Sequence, residues 1–319
     1  MPEITRRAAL SLATSVAASA GQADKLAGRV KADRGRIDPA TVGELLRGNP
    51  QGIDELMVSL LPQARLASRP PLSDYHVGAV IQGASHSLYL GANIEVPGQT
   101  LGLAVHAEQA AIANAYMHGE NSVTALAVTA APCGHCRQFL NEMAPDGALR
   151  ILLPGAAPTT LAALLPMAFG PKDLGRTQGA LPIHELQLSL PKESRDNLVI
   201  AALAAARRSY SPYTKSPSGV AVLTAAGRIF AGSYIENVAF NPSLSPLQTA
   251  LPGLFADGEN ATSIVRVVLI EAEDARISQL SSTQATLASL APSAKLEILH
   301  AGYRKAATGS TRVARQAGR

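Results

Sequence analysis

The chain repeats itself once, and that repeat limits the folds open to it. Gly91-Ala92-Asn93-Ile94-Glu95 returns as Gly232-Ser233-Tyr234-Ile235-Glu236 at an offset of 141, and Gly119-Glu120-Asn121 returns as Gly258-Glu259-Asn260 at 139. Ser73-Asp74-Tyr75 is echoed by Ser211-Pro212-Tyr213. A two-residue deletion in a loop between them reconciles the offsets. Two copies are too few for a solenoid; they make a duplicated domain, and 319 residues suffice for two domains of about 100–200 each.

Within the first copy, apolar patterning and turn residues predict a helix over 53–66 stopped by Arg69-Pro70-Pro71, then strands over 76–81 and 87–92. A helix over 105–118 capped by Gly119 follows, with a strand at 124–130, a helix at 133–143 and a strand at 150–153. This alternation predicts a sheet covered by helices, a three-layer α/β/α arrangement occurring twice. The expected organisation is an N-terminal helical segment (1–48, ending at Gly48-Asn49-Pro50) and a first domain (49–154). A proline-rich connection (155–190), a second domain (191–303) and a basic, solvated tail (304–319) complete it.

Hydrophobic residues make up 47% and charged residues 16%, which excludes a disordered chain. The net charge of +4 is local: Arg304, Lys305, Arg312, Arg315 and Arg319 lie in the last sixteen residues, and without them 23 Lys and Arg face 24 acids. A neutral body lacks the basic, aromatic-flanked channel that a polynucleotide wants, so nucleic acid is not the expected partner. No stretch reaches the roughly 18 consecutive apolar residues of a membrane span. Arg6-Arg7 before an alanine-rich run imitates an export signal, but the run lacks leucine density and reads as a helix of a cytoplasmic protein.

Only two cysteines occur, Cys133 and Cys136, in one Cys-x-x-Cys, which means a metal site or a redox dithiol. Upstream lies His106-Ala107-Glu108. One His and two Cys suit tetrahedral Zn²⁺ and leave a fourth position open, as in catalytic sites. His135 is the nearby candidate for a closed structural site, but binding one metal together with both flanking cysteines would strain the turn. Both ligand sets stand where helices begin, which favours thiolates. Glu108 falls on the first turn after His106, within reach of the open position, where a carboxylate can move a proton. A redox dithiol leaves His106-x-Glu108 unexplained, and a structural zinc has no use for Glu108. The second copy sets Ser245-Pro246-Leu247-Gln248 opposite His106-Ala107-Glu108-Gln109, and Glu271-Ala272 near Pro132-Cys133, so it lacks every ligand.

H-x-E followed by P-C-x-x-C is the signature of zinc deaminases as a class. Pro132-Cys133-Gly134-His135-Cys136-Arg137-Gln138-Phe139 and Gly91-Ala92-Asn93-Ile94-Glu95 make the region from about 60 to 190 resemble cytidine deaminases. The resemblance continues through Tyr213–Gly219 and Glu236–Pro242, as in the homodimeric branch with a degenerate second domain. It implies a duplicated cytidine-deaminase-like fold and hydrolytic deamination of cytidine and 2′-deoxycytidine in pyrimidine salvage. It also implies one zinc per chain on His106, Cys133 and Cys136, with Glu108 as proton shuttle. Asn93 and Glu95 would bind ribose hydroxyls, and Tyr75 stands where the family usually has a Phe against the pyrimidine. Val238-Ala239-Phe240 would close the partner's pocket in a homodimer, unless Phe240 is ordinary core. A deaminase of nucleic acid or of a different base and a zinc-containing scaffold without turnover are the competing readings; intact Glu108 argues against the scaffold.

Overall fold

The computed structural model describes residues 25–48 and 51–303; the Arg6-Arg7 run, the stop at Asn49-Pro50 and the basic tail after Tyr303 lie outside the described residues. Residues 25–32 are helical, and a short strand β1 (Arg36–Ile37) follows where the sequence predicts only helix. Asp38 then starts α1 (Pro39–Arg47), its carboxylate accepting from the N–H groups of Ala40 and Thr41 at 2.9 and 3.0 Å. The helix expected over 53–66 is two helices, α2 (Ile53–Ser59) and α3 (Leu61–Arg65). Pro62 has no N–H with which to continue the α2 ladder.

The first sheet contains β1, β2 (Gly78–Gly83), β3 (Leu88–Ala92), β4 (Val123–Val128), β5 (Arg150–Leu152) and β6 (Thr159–Thr160). Their order is β1-β3-β2-β4-β5-β6, antiparallel except for β4 beside β5. Helix α4 (Ala107–Met117) links β3 to β4, and α5 (Gly134–Met143) makes the parallel crossover from β4 to β5. Strand alternation divides the side chains between the two faces. Val80, Leu88, Leu90, Ala125 and Ala127 pack under α1–α3, whereas Ala79, Ile81, Tyr89, Leu126 and Val128 meet α4 and α5.

After a short helix α6 (Leu161–Leu164) the chain builds a second sheet from β7 (Leu188–Ser189), β8 (Ser218–Thr224), β9 (Ile229–Ser233), β10 (Ile264–Ala272) and β11 (Lys295–Tyr303). The order is β7-β11-β10-β8-β9, with β10 and β11 parallel. Helices α7 (Asn197–Arg207), α8 (Pro246–Ala256) and α9 (Leu280–Leu290) cover it. Ala221, Val268 and Ile270 face α7; Val220, Val222 and Val267 face the side that holds α8. The three-layer fold occurs twice, and α4 and α8 meet inside one continuous core shared by both copies.

Backbone geometry fixes the register of the repeat more firmly than its letters do. Gly91 lies so close to α4 that a Cβ there would sit 2.1 Å from Ala111 N, and Gly232 stands likewise 2.5 Å from Ala250 N. Asp74 and Lys215 share a left-handed backbone, φ 53° and 56°. The N–H groups of Leu72 and Ser73 donate to Glu95, and those of Tyr213 and Thr214 donate to Glu236. Tyr213 therefore corresponds to Leu72, and the echo of Ser73-Asp74-Tyr75 in Ser211-Pro212-Tyr213 is three residues out of register. The two-residue deletion falls between Glu95 and Val105, because Ile94 bridges Val105 where Ile235 bridges Leu244. The offset returns to 141 at the next strand, where Ala79 pairs with Val128 and Val220 with Leu269. Cys133 thus lies opposite Asp274, two residues beyond the position read from the sequence.

Candidate active site

His106 is the N-cap of α4, extended at φ −77° and ψ 157°, and Cys133 is the N-cap of α5. The ligand atoms of His106, Cys133 and Cys136 all lie within 4.8 Å of one another. His106 Nδ1 and Cys133 Sγ are 3.5 Å apart. Tetrahedral zinc, with bonds of about 2.1 Å to nitrogen and 2.3 Å to sulfur, sets such a pair about 3.6 Å apart, so this pair fits the ion in spacing and the donor set fits it in chemistry. His135 does not join the cluster. Its ring is exposed and tilted over that of His106 at 5.5 Å, with Nε2 3.3 Å from Nε2 of Gln109.

Electrostatics prepare one thiolate before any cation is considered. A hydrogen bond from the Cys136 thiol pulls Cys133 down to about 4, helped by the N–H groups of Cys136 and His135 at the start of α5 and by His106. The same hydrogen bond, together with burial, pushes Cys136 up. Glu108, on the first turn of α4, is buried at 5% exposure and lies against the Cys136 thiol. Burial raises its carboxyl above the usual range, opposed by its own N–H and by His106. A carboxyl that holds its proton more readily than usual suits a group that must take up and release one.

His106, Glu108 and Cys133 form one end of a cavity of about 280 Å³, with Cys136 buried behind them. Asn93, Glu95, Tyr75, Ser73, Val77 and Ala104 line the rest of it. Asn93 follows β3 and holds the cavity wall: its Oδ1 accepts from Val77 N–H at 2.9 Å and Ser68 Oγ at 2.6 Å, and its Nδ2 donates to the Tyr75 carbonyl at 2.8 Å. Glu95 accepts from the N–H groups of Leu72 and Ser73 at 2.7 and 3.0 Å and from Ser73 Oγ at 2.5 Å. Burial acts to raise the Glu95 carboxyl, but these donors prevail and hold it below the usual range. Tyr75 is 60% exposed at the cavity mouth.

Of the residues expected to bind substrate, Phe240 alone does not line this cavity. It is 57% exposed, which removes the core alternative, and sits at φ 63° at the tip of a turn. The Phe240 N–H donates to Asn237 O and the Ser243 N–H to Phe240 O, each at 2.9 Å. The sequence reading missed Gln109 and Gln248, whose matching places in the two copies were visible in His106–Gln109 and Ser245–Gln248. It also missed Glu142, fully buried near the end of α5. Glu142 Oε1 accepts from the hydroxyls of Tyr210 and Tyr213 at 2.6 and 2.7 Å, and Oε2 from Val238 N–H at 2.9 Å. Nothing local in the sequence marks it, because its partners are 68 to 96 residues away.

In the second copy the corresponding residues have closed in on themselves. Ser245 takes the place of His106 and caps α8 through Oγ, Leu247 replaces Glu108 and is fully buried, and Tyr234 replaces Asn93 with its hydroxyl 3.3 Å from Glu236.

Residues 51–148 and 161–284 match two family models, both described as the cytidine and deoxycytidylate deaminase zinc-binding region. A cytidine deaminase of Vibrio atlanticus is 43% identical over 80% of this chain and 86% of its own, and one of Shewanella sp. strain MR-7 is 42% identical over 83% and 88%. One of Vibrio cholerae is 45% identical over 77% and 82%. The solved cytidine deaminase of Mycobacterium tuberculosis is 31% identical, covering 37% of this chain and 99% of its own at a TM-score of 0.35. With relatives this similar along most of both chains and the zinc-binding region matched in each copy, the protein belongs to the cytidine and deoxycytidylate deaminase family.

Proposed function

We infer that the protein hydrolyses cytidine and 2′-deoxycytidine to uridine and 2′-deoxyuridine with release of ammonia, in pyrimidine salvage. The observation that carries this reading is the buried Glu108 carboxyl beside the His106, Cys133 and Cys136 cluster at one end of a cavity whose other walls bear Asn93 and Glu95. His106, Cys133 and Cys136 would hold one zinc ion, which supplies a water acidified to a pKa of about 7.

Glu108 takes a proton from the attacking water and places it on N3 of the pyrimidine while the oxygen bonds to C4. It then moves the hydroxyl proton to the amine at C4; that C–N bond breaks, ammonia leaves and the C4 carbonyl forms. The Asn93 amide, with one N–H held by the Tyr75 carbonyl, has its second N–H to offer a ribose hydroxyl, and Glu95 accepts from one. Tyr75 at the mouth packs against the base edge.

Residues 49–154 are the catalytic unit in this reading, 191–303 the unit without catalysis and 155–190 their connection. The protein works as a homodimer, with Phe240 presented to a partner's pocket. Two free cysteines used as ligands, with no disulfide among the described residues, suit the cytoplasm. No helix among the described residues is long and apolar enough to cross a membrane.

The test is ammonia release, or the ultraviolet change as cytidine becomes uridine, by zinc-loaded wild type beside Glu108→Gln. Turnover lost in the variant with zinc retained in both is the expected result. Zinc-loaded wild type that releases no ammonia from either nucleoside would refute the assignment.

A further inference from the structure

Gln109 and Gln248 occupy the same position in the two copies, three residues into α4 and α8, and both are buried. Each uses Oε1 to accept from the N–H of its own helix's N-cap: Gln109 from His106 at 3.1 Å, Gln248 from Ser245 at 3.0 Å. Each then sends its amide N–H across to the other copy. Gln109 donates to the Pro242 carbonyl at 3.2 Å, and Gln248 donates to the carbonyls of Gly102 and Ala104, both at 3.3 Å. The second copy has lost the His, the Glu and both Cys, yet it keeps the glutamine that touches the first copy's loop.

That loop delivers His106. Leu101 and Gly102 are exposed, and Ala104 lines the cavity two residues before the ligand. Ile94 and Val105 exchange backbone hydrogen bonds at 2.8 and 2.9 Å and fix one side of the loop; Gln248 fixes the other. We propose that Gln248 of the non-catalytic copy is a positioning residue for the catalytic one, holding the 102–104 carbonyls so that His106 meets Cys133 and Cys136 in ligand geometry. The proposal rests on the reading of His106 as a metal ligand.

A purely structural role predicts something different. The Gly102 and Ala104 carbonyls lie in a partly exposed loop and can turn to water when the amide is lost, so the fold should survive while the ligand loop loosens. Two variants separate the possibilities. Gln248→Glu keeps the acceptor for Ser245 N–H and removes the donor, and Gln248→Met removes both without adding charge.

Each variant is loaded with zinc at a temperature where circular dichroism shows it folded. Zinc release to a chromogenic chelator is then timed, and kcat and KM for cytidine are measured. Outer-shell partners of metal ligands typically change affinity or activity 10–100-fold. The expected result is release about tenfold faster in both variants, with kcat reduced and KM within about twofold. Release and kcat at wild-type values in a folded variant would overturn the proposal, as would a fall in thermal midpoint of the metal-free variants with zinc release unchanged. Failure of the deaminase reading would appear separately, as wild type that binds zinc and turns over nothing, while the release rates still decide the role of Gln248.

Discussion

Replacing Glu142 by leucine removes the acceptor of three hydrogen bonds and leaves their donors inside the junction between the two copies. Val238 is 2% exposed, so its N–H has no route to water; Tyr210 and Tyr213 are half-buried and can recover part of what they lose. An orphaned buried donor costs about 1–3 kcal/mol. One full penalty and two partial ones give about 3–5 kcal/mol, a large share of the roughly 5–15 kcal/mol that holds a typical domain folded. Glu142→Gln keeps the shape and one acceptor oxygen but weakens charge-assisted bonds and turns an NH₂ toward Val238 N–H or the tyrosines, a loss of about 1–2 kcal/mol.

The tyrosines test the same network from its other end. Tyr210→Phe and Tyr213→Phe each leave the carboxylate one remaining hydroxyl on Oε1, so each should cost about 1 kcal/mol; the double variant strips that oxygen and should exceed their sum by about 1 kcal/mol. The chain has no Trp, so urea unfolding is best followed by far-ultraviolet circular dichroism, at one fixed concentration of free zinc because bound metal stabilises by mass action. Glu142→Leu unfolding within about 0.5 kcal/mol of wild type, an effect typical of featureless surface sites, would refute the reasoning.

Other consequences are simpler. Gly91→Ala puts a Cβ 2.1 Å from Ala111 N and 2.6 Å from the Ala107 carbonyl, both backbone, so β3 or α4 must shift; a loss of about 1–3 kcal/mol, read as a lower thermal midpoint, should come with a raised KM because Asn93 follows directly after β3. An unchanged midpoint would contradict the close approach. Phe240→Ala should leave monomer stability within about 0.5 kcal/mol and weaken either nucleoside binding or dimerisation in sedimentation; both unchanged would remove Phe240 from any interface. Asp196 is held below its usual range by Arg266 and by Leu198 N–H. Its contribution is therefore full above the unfolded value of about 3.9 and is lost as pH falls through the folded value. Asp196→Asn should flatten that acid limb of the midpoint against pH, and an unchanged limb would show that the pairing contributes nothing.

How much of this was legible in the sequence follows from the range of each interaction. The helix starts at His106 and Cys133 were readable because capping and apolar spacing are local, and the ligand set because its residue types sit at short intervals around them. Strand β1 was not, since two residues, Arg36 and Ile37, gain their conformation only by pairing with Tyr89 and Leu88. The echo involving Tyr213 lies three positions out of the structural register for a related reason. What the copies share there is a set of backbone N–H groups aimed at Glu95 and Glu236 and a left-handed residue at 74 and 215, and the side chains around them were free to change. Glu142 acts across the junction, 68 to 96 residues from its partners, where no periodicity can betray it; the repeat marks the place of Gln248, but not its partner 146 residues away.

The persistence of a copy without ligands has its own physical reason, and it carries a last prediction. Every residue of α4 from Ala107 to Tyr116 is buried, including Ala110, Ala111, Ala113 and Ala115. A helix buried on every side, its polar Glu108, Gln109 and Asn114 included, belongs to an interior. The first sheet covers one side of α4 through Gly91, and α8 of the second copy covers another. The end of α4 is tied across the junction as well, Tyr116 Oη donating to the Arg208 carbonyl at 2.5 Å and Arg208 Nη2 to the Tyr116 carbonyl at 2.8 Å. Apart from the cavity end at Glu108, the helix that begins at His106 is therefore covered by protein rather than built to face bulk water. A chain ending at residue 187 should expose one side of α4 at about 25 cal/mol for each Å² of apolar surface uncovered, and should aggregate or bind a hydrophobic dye where the full chain does not. A monomeric fragment with wild-type zinc affinity would mean that the first copy covers its own active-site helix, and that the second is dispensable to it.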